Sequence, residues 1–279
     1  MSTSSPDFEN DHLLRSKFVR ELILRQIRSA DDPIDRGDAS SLPIPRTLIR
    51  YWHNPSELPE DVKECLDSWN RVDREGFEIR MFDDISSRAY IADKFGPRET
   101  AAFARCRHPA MRSDYLRMCF VLAEGGMYVD ADDVLLGDGW RDVFRDGRLK
   151  LQPLCYDIPT GRMVPASQFW VSDFPTDDRV FYVNNNPIAA SAGHPILAQA
   201  LARSTGKLLG DEELPIIQGT TGPGNLTVSL AMHAYALNSA GSPPDFELLR
   251  YWDDTVETRW DLSYRSDARN WRNVEGSGF

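Results

Sequence analysis

Residues 111–135 restrict the possible folds of this chain more than any other stretch, and they read MRSDYLRMCFVLAEGGMYVDADDVL. Their first half has apolar residues at three- and four-residue spacing, which predicts a helix. Gly125 and Gly126 then predict the end of that helix, because glycine adopts the left-handed conformation that a helix exit needs. Met127 to Val129 predicts the beginning of a strand directly after the helix.

Two aspartates, Asp130 and Asp132, follow the predicted strand with one residue between them. If the backbone stays extended there, this spacing directs both carboxylates to the same side. Paired carboxylates at a strand end form a hard-oxygen site for Mg²⁺ or Mn²⁺, which keeps positions open for phosphate oxygens. The alternative is a solvated acidic turn. An EF-hand is excluded, because Leu135 and Arg141 stand where its loop needs glycine and glutamate.

Eight residues of this stretch occur in the order of a known pattern: Ser113, Asp114, Arg117, Gly125, Gly126, Tyr128, Asp130 and Asp132. In this the stretch resembles the sugar-binding region of the DxD glycosyltransferases of family 32. That family includes fungal mannosyltransferases and bacterial polysaccharide enzymes. The resemblance implies an α/β fold of GT-A type, with a mainly parallel, Rossmann-like sheet and helices on both faces.

The resemblance also implies roles for single residues. Asp132 and Asp130 are expected to hold Mn²⁺ or Mg²⁺, and with Arg117 they form the expected catalytic set. Donor binding is expected to involve Trp52, Asp114, Arg117, Tyr128 and Asp130. The implied donor is a UDP- or GDP-sugar, the implied acceptor a glycan or glycolipid, and the implied stereochemistry retention. No nucleophile is identified.

Three segments outside this stretch also match the family's pattern. Ile44–Trp52 resembles its first strand and would put Trp52 beside the nucleotide base; a tryptophan in the core is the alternative. Asn184 or Asn185 and the pair Thr221 and Gly222 match segments near the sugar and the acceptor, although asparagine also favours plain turns. Asn270, before Trp271, matches a tail residue that completes the metal shell, but the family's preceding histidine is absent.

Local patterns predict the remaining elements. The predicted helices lie at 11–30, 59–69, 196–202 and 225–237, and the predicted strands at 77–82, 149–154 and 180–183. Asn184–Pro187 then lies either at a strand end or in a plain turn. Strands that alternate with helices before the acidic motif indicate a parallel sheet. Ligands of such sheets bind at the carboxyl ends of the strands, where the two aspartates are expected.

The N-terminal part is expected to differ from the rest. Residues 1–40 are interpreted as an extension, with a disordered serine-rich start at 1–10, an amphipathic basic helix at 11–30 and a linker at 31–41. Residues 41–279 form the expected GT-A domain. The helix suits either peripheral contact with a membrane surface, or packing on its own domain or a dimer partner.

Composition excludes some classes of function. The formal net charge of −11 argues against a nucleic-acid partner, which calls for a basic face. No apolar run approaches ~18 residues, so no transmembrane helix is expected. The four cysteines show no Cys-x-x-Cys pairing, which favours reduced thiols and a cytoplasmic location. The interpretation is a metal-dependent glycosyltransferase; a nucleotide-sugar hydrolase and a non-catalytic sugar- or metal-binding module are the alternatives.

Overall fold

The structure, a computed structural model, describes residues 6–30, 42–210 and 216–273. Residues 1–5 and the predicted linker at 31–41 lie outside the described residues. The α-helices are α1 (His12–Ala30), α2 (Glu60–Ser68), α3 (Asp84–Lys94), α4 (Pro97–Ala104), α5 (Pro109–Glu124), α6 (Trp140–Val143), α7 (Ala166–Phe169), α8 (Pro195–Leu209), α9 (Ile217–Thr220), α10 (Pro223–Ala240) and α11 (Trp252–Thr255). Short 3₁₀ segments lie at Pro55–Glu57, Asn70–Glu75, Ser263–Ser266 and Trp271–Asn273.

The strands form one large sheet and one small sheet. They are β1 (Thr47–Tyr51), β2 (Glu78–Phe82), β3 (Gly126–Tyr128), β4 (Asp133–Leu135), β5 (Leu149–Asp157), β6 (Arg162–Val164), β7 (Arg179–Ala190), β8 (Phe246–Leu248) and β9 (Val256–Thr258). The large sheet has the order β2-β1-β3-β7-β5-β6, with β8 also on β5, and β4 pairs with β9. Parallel pairs join β1 to β2 and β3, whereas β7 is antiparallel to β3 and β5. The predicted α/β class is confirmed, with its parallel part around β1.

Two glycines fix how α5 passes into β3. Gly125 has a φ of +74° and Gly126 a φ of +112°, a region that residues with a Cβ rarely adopt. A Cβ on Gly126 would lie 2.7 Å from the carbonyl oxygen of Thr47 in β1. The double glycine therefore ends the helix, as predicted, and also lets β3 enter the sheet between β1 and β7.

Successive residues of the central strands belong to two apolar cores on opposite faces of the sheet. One core contains Ile49, Tyr128 and Ile188 and is covered by α1, α5, α8 and α10. The other contains the neighbouring residues of the same strands, Leu48, Met127 and Ala189. The side chains that pack with them come from helical segments: Trp69, Val72, Trp140, Val143 and Trp252. Helices therefore cover both faces, as predicted.

Strand β7 is longer than predicted, because it continues past Val183 and through residues 184–187 up to Ala190, so the alternative of a plain turn is wrong. Its pairing with β5 shifts register between Leu151 and Pro153, opposite this segment. The segment therefore forms an irregularity inside a ladder, where cross-strand pairing on both sides outweighs the turn preference of asparagine. As a result, three consecutive amide side chains lie in the middle of the sheet.

Helix α1 packs on its own domain, one of the two expected arrangements. Its residues Val19, Leu22 and Ile23 are buried in the larger core. Arg20 donates to the carbonyl oxygens of Phe169 and Val171 at 2.7 and 2.6 Å. The side-chain amide of Gln26 exchanges two hydrogen bonds with the backbone of Leu248, at 2.7 and 2.9 Å. Membrane contact, dimer formation and the boundary at residue 40 stay predictions.

The start of the chain is more ordered than expected. Phe8 is buried, with its ring 4.8 Å from that of Phe18 and 6.0 Å from that of Tyr235. The predicted disorder is therefore wrong for residues 6–10, because one aromatic anchor outweighs their polar composition. Within the described residues, no helix is long and apolar enough to cross a membrane. Cys65, Cys106, Cys119 and Cys155 are buried free thiols.

Candidate functional site

A cavity of about 740 Å³ opens where β1 and β3 end. This volume lies in the range of roughly 300–1,000 Å³ that is typical of small-molecule sites. Parallel strands of open α/β sheets present their ligands at this edge. Most of the predicted site residues line the cavity: Trp52, Asp114, Arg117, Tyr128, Asp130, Asp132, Asn184, Asn185 and Asn270.

The acidic motif lies in a turn and not in an extended strand. Strand β3 ends at Tyr128, and the N–H of Asp133 donates to the carbonyl oxygen of Asp130 at 3.3 Å before β4 begins. The expected extended geometry is not formed, because β4 leaves the large sheet to pair with β9. Asp130 and Asp132 nevertheless line the same cavity.

Arg117 holds Asp130 in place from the floor of the cavity. Its Nη2 donates to Oδ1 of Asp130 at 2.8 Å, and the hydroxyl of Tyr128 donates to the same oxygen at 2.9 Å. Nη1 donates to the carbonyl oxygen of Asn185 at 2.7 Å. Because the guanidinium is buried and its bonds go to protein groups, Arg117 acts here as a positioning residue for the acidic turn.

Asp114 lies next to Arg117 and is equally enclosed. Its carboxylate accepts hydrogen bonds from Asn185 Nδ2 at 2.7 Å and from the Thr221 hydroxyl at 3.1 Å, and Arg117 Nη2 is 3.3 Å away. Burial raises the pKa of Asp114 to about 6, and the opposing charge of Arg117 only limits the shift. The carboxylate is therefore ionised at neutral pH but titrates close to it.

Asp132 is held by residues from the C-terminal part of the chain, which the sequence did not indicate. Its Oδ2 accepts from the Tyr264 hydroxyl at 2.7 Å and forms an ion pair with Arg265. Burial raises the pKa of Asp132, the negative charge of Asp130 raises it further, and Arg265 opposes both. Arg265 thus supplies the positive charge that a buried carboxylate needs.

Asp133, which no sequence pattern singled out, is the buried residue at the end of the acidic turn, where β4 begins. It is fully buried and accepts hydrogen bonds from Asn186 Nδ2 and the Thr258 hydroxyl, both at 2.7 Å. Burial raises its pKa well above the ordinary value, and Asp132 and Asp130 add to the shift. The only sequence signal was a third aspartate beside the motif and a third asparagine beside Asn184 and Asn185.

Trp52 is buried, as the alternative of a core tryptophan predicts, and it also lines the cavity; its place beside a nucleotide base stays a prediction. Its side chain is buried in a small cluster with Val62, Cys65 and Leu262, and its ring meets that of Tyr264 edge-on at 5.3 Å. It also lines the cavity, and its buried Nε1 has no hydrogen-bond partner among the described residues. The indole therefore supports the wall of the cavity.

The structure also locates the residues expected near the sugar and the acceptor, and Asn270, which was expected in the metal shell. Asn184 lines the cavity and donates to Oε1 of Gln152 at 3.2 Å. Thr221 and Gly222 are not part of the described cavity lining: Thr221 supports Asp114, and Gly222 precedes α10. Asn270 lines the cavity, but its Nδ2 donates to the carbonyl oxygen of Arg265 at 2.8 Å, so it shapes the tail segment.

The donor set can be tested against a divalent cation. Among the described residues, no three His, Cys, Asp or Glu side chains come together in a way that could hold a metal. The side-chain hydrogen bonds described above engage Oδ1 of Asp130 and Oδ2 of Asp132, so each carboxylate keeps a second oxygen. Mg²⁺ typically needs only one or two carboxylates when phosphates supply further ligands. The residues therefore fit a cation that is bound together with a diphosphate.

Basic residues of the tail form the opposite wall. Arg265, Arg269 and Arg272 line the cavity beside Trp260, in a protein whose formal net charge is −11. The pKa of Arg272 is lowered by burial and then by the positive charge of Arg265. The two guanidinium groups therefore repel each other, and Arg265 is at the same time in direct contact with Asp132.

Comparison with known proteins agrees with this geometry. Residues 59–143 match the family described as "Glycosyltransferase sugar-binding region containing DXD motif". The initiation-specific alpha-1,6-mannosyltransferase of Schizosaccharomyces pombe is 26% identical over 166 residues, which are 58% of this chain and 40% of that protein. The chain thus matches about two fifths of the length of that curated relative.

A solved structure shows the same fold. The chain superposes on the PaToxG glycosyltransferase with a TM-score of 0.50, over 82% of each chain and at 15% sequence identity. At this identity the likeness concerns the fold alone, which is of GT-A type. The family match covers the acidic turn and the helix before it, so this part of the chain is similar to the sugar-binding region of the glycosyltransferases that carry a DXD motif.

Proposed function

We propose that the protein transfers a sugar from a nucleotide-sugar donor to a glycan, glycolipid or other acceptor, and that a divalent cation assists. The carrying observation is the position of Asp130 and Asp132, which line one cavity at the carboxyl ends of β1 and β3. Such a pair, enclosed and held by arginines, suits a ligand that brings both phosphate and a cation. The expected role is synthesis of a polysaccharide or glycoconjugate.

The chain's own residues prepare this site before any ligand enters. Arg117 and Tyr128 hold Asp130, whereas Tyr264 and Arg265 hold Asp132. Both carboxylates therefore keep their orientation and do not need to be reoriented when a ligand binds. Groups that are preorganised around developing charge stabilise a transition state most. When bound, Mg²⁺ or Mn²⁺ between the two carboxylates would neutralise the charge that develops on the diphosphate leaving group.

Other residues of the cavity wall fit the remaining parts of the donor. We assign the base to Trp52, whose indole lines the cavity and can present an aromatic surface to it. Asn184, which lies in the wall formed by β7, suits sugar hydroxyls because an amide both donates and accepts. Retention of the anomeric configuration follows from the family resemblance and is part of the proposal.

A thermal-shift panel of UDP- and GDP-sugars tests this function, with Mn²⁺ in one arm and EDTA in the other. GDP-mannose belongs in the panel because the curated relative is named a mannosyltransferase. A true donor at a hundred times its dissociation constant should stabilise the fold by about 2.7 kcal/mol, more in the Mn²⁺ arm than in EDTA. The variant Asp132→Asn removes the charge of one proposed cation ligand. Its matched control is Asp138→Asn, because Asp138 is exposed.

Release of free sugar separates transfer from hydrolysis. A donor that stabilises the protein but is consumed only by water, across a screen of glycan and lipid acceptors, would identify a hydrolase. A donor that binds and is never consumed would identify a binding module. If no nucleotide sugar in the panel changes the melting temperature, the proposed function is wrong.

A further inference from the structure

Three polar side chains are joined in a row along one side of the cavity. Asn184 Nδ2 donates to Oε1 of Gln152 at 3.2 Å, and Gln152 Nε2 donates to Oδ1 of Asp253 at 2.5 Å. All three side chains line the cavity, and they come from β7, β5 and α11. Because β3, β7 and β5 are neighbours in this order, the row leads away from the acidic turn that follows β3.

The irregular pairing of β5 with β7 explains how Gln152 and Asn184 reach the cavity. Leu151 pairs with Ile188, whereas Pro153 pairs with Val183, so the described register gives Gln152 no partner in this ladder. Irregularities of this kind are common next to active sites, where they change the direction of a side chain. Gln152 is buried and both ends of its amide are engaged, so it holds the residues on either side of it.

Asp253 presents a carboxylate that the proposed cation site does not use. It lies in α11, is exposed and lines the cavity, and it accepts hydrogen bonds from the Gln152 amide and from the backbone N–H of Ala166. An ionised carboxylate has about four acceptor positions on its two oxygens, so it can accept further hydrogen bonds. Asp253 is thus a held acceptor of hydrogen bonds that a ligand can reach.

The cavity wall on this side combines few polar groups with apolar surface. Leu154 and Tyr182 are cross-strand partners in β5 and β7, each two residues from a member of the polar row and therefore on the same face of the sheet. Val164 and Pro165 continue the wall in front of α7, and all four side chains line the cavity and are at least partly exposed. A sugar ring suits such a wall, because its C–H faces are apolar and its hydroxyls need a few well-placed polar groups.

We propose that Asp253 binds the acceptor, and that this acceptor is a neutral sugar whose hydroxyl groups donate to the carboxylate. The inference rests on the proposed function, since it assigns the second substrate of that transfer. Asn184 is assigned to the donor sugar, and Gln152 bonds to both Asn184 and Asp253, so the acceptor lies next to the donor sugar. An ionised carboxylate accepts from hydroxyls but repels an anionic acceptor.

The cavity also leaves room for an acceptor longer than one sugar. Met163, Val164 and Pro165 line both the main cavity and a second cavity of about 490 Å³. The two cavities therefore adjoin at these residues. A glycan that is bound at Asp253 by its terminal sugar extends into the second cavity with its remaining units.

Methyl glycosides of the common hexoses and of their disaccharides are the probes, because they carry hydroxyls without charge. Transfer to each probe and hydrolysis of the donor are measured with Mn²⁺ and the nucleotide sugar that stabilises the protein. Asp253→Asn should raise the KM for the probe by about tenfold or more, because hydrogen bonds to a charged acceptor are the stronger ones. Donor affinity and donor hydrolysis should change by less than about twofold.

Gln152→Met should act in the same direction with a smaller effect, since it keeps the volume but no longer holds Asp253. Asp254→Asn is the matched control, because Asp254 is the next residue of α11, is exposed and does not line the cavity in the described structure. Its KM for the probe should stay within roughly twofold of wild type. Melting temperatures of all variants, measured without ligand, separate lost binding from lost folding.

Three results would overturn the inference: transfer by the wild type to none of the neutral probes, an unchanged KM in Asp253→Asn, or a donor affinity that falls as much as the KM rises. The last result would place Asp253 at the donor. Each of them leaves the proposed function standing, as long as a nucleotide sugar stabilises the protein with Mn²⁺. If no nucleotide sugar does so, the proposed function fails and this inference fails with it.

Discussion

The side-chain amide of Asn186 donates to the carboxylate of Asp133 over 2.7 Å, from the middle of β7 to the start of β4. Its other atom, Oδ1, accepts the backbone N–H of Asp130 at 3.1 Å. One amide therefore ties both ends of the acidic turn to the sheet. This explains how a turn without regular structure presents two carboxylates in a fixed arrangement.

Asn186→Ala should lower the free energy of unfolding by about 1–3 kcal/mol, because it leaves Asp133 buried with one partner fewer. Urea unfolding measures this change. Asn184→Ala is the matched control, since Asn184 bonds only to Gln152 in the described contacts and is partly exposed. Equal, small effects of the two variants would show that the turn does not depend on Asn186.

Asp132→Asn should abolish transfer while the fold survives. Asparagine keeps the shape and an oxygen that Tyr264 can donate to, but removes the charge that a cation needs. Loss of one hard ligand is expected to reduce the rate on the order of 10³-fold. Donor consumption with Mn²⁺ measures the rate, and the melting temperature tests the fold. More than about a tenth of wild-type activity in this variant would argue against the metal role.

Trp52→Ala should reduce both stability and donor affinity, because the ring is buried and also lines the cavity. Truncation of a core tryptophan costs roughly 3–5 kcal/mol of stability, and loss of base stacking costs about 1–3 kcal/mol of binding. Trp52→Phe should keep more of the stacking than of the packing. Calorimetry and urea unfolding of both variants measure the two effects. Unchanged donor affinity in Trp52→Ala would remove this residue from the donor site.

Asp114 predicts a pH dependence of stability. Its pKa in the folded protein is about 6, against an ordinary value of 3.8. Between these values the folded state binds more protons than the unfolded state, so this group's contribution to stability falls as the pH rises from about 4 to 6. The two-unit shift corresponds to roughly 3 kcal/mol. Asp114→Asn cannot titrate, so the difference between wild type and variant should change by about that amount across this window. Parallel curves from urea unfolding would contradict the raised pKa.

Much of the fold followed from local patterns in the sequence. The double glycine and the capping residues are such patterns: Asp83 forms a capping box with Ser86, and Gly125 and Gly126 end α5. Local patterns also indicated β2, whose residues alternate, and β1 and β3, whose residues belong to apolar cores on both faces of the sheet. The course of β7 could not be predicted, since residues 184–187 favour a turn locally, whereas the residues on either side of them pair with β5 and, after residue 187, also with β3.

The candidate site was predictable only as far as its motif. Residues 113–132 are close in sequence, so their pattern indicated one wall of the cavity. The other wall comes from Trp260, Tyr264 and Arg265, more than a hundred residues away, where no local pattern distinguishes an arginine on Asp132 from one in solvent. Thr221 shows the reverse case: its motif was recognised, but α9 and α10 place it behind Asp114.

The packing of α1 has a practical consequence for producing this protein. A shortened version that begins at the sugar-binding region would lose Val19, Leu22 and Ile23, and the apolar surface they cover would meet solvent. It would also lose Gln26, which occupies the free backbone groups of Leu248 at the border of the sheet. Uncovered apolar surface and an unprotected strand edge both promote aggregation. Expression vectors should therefore keep residues 6–30, even when only the donor site is of interest.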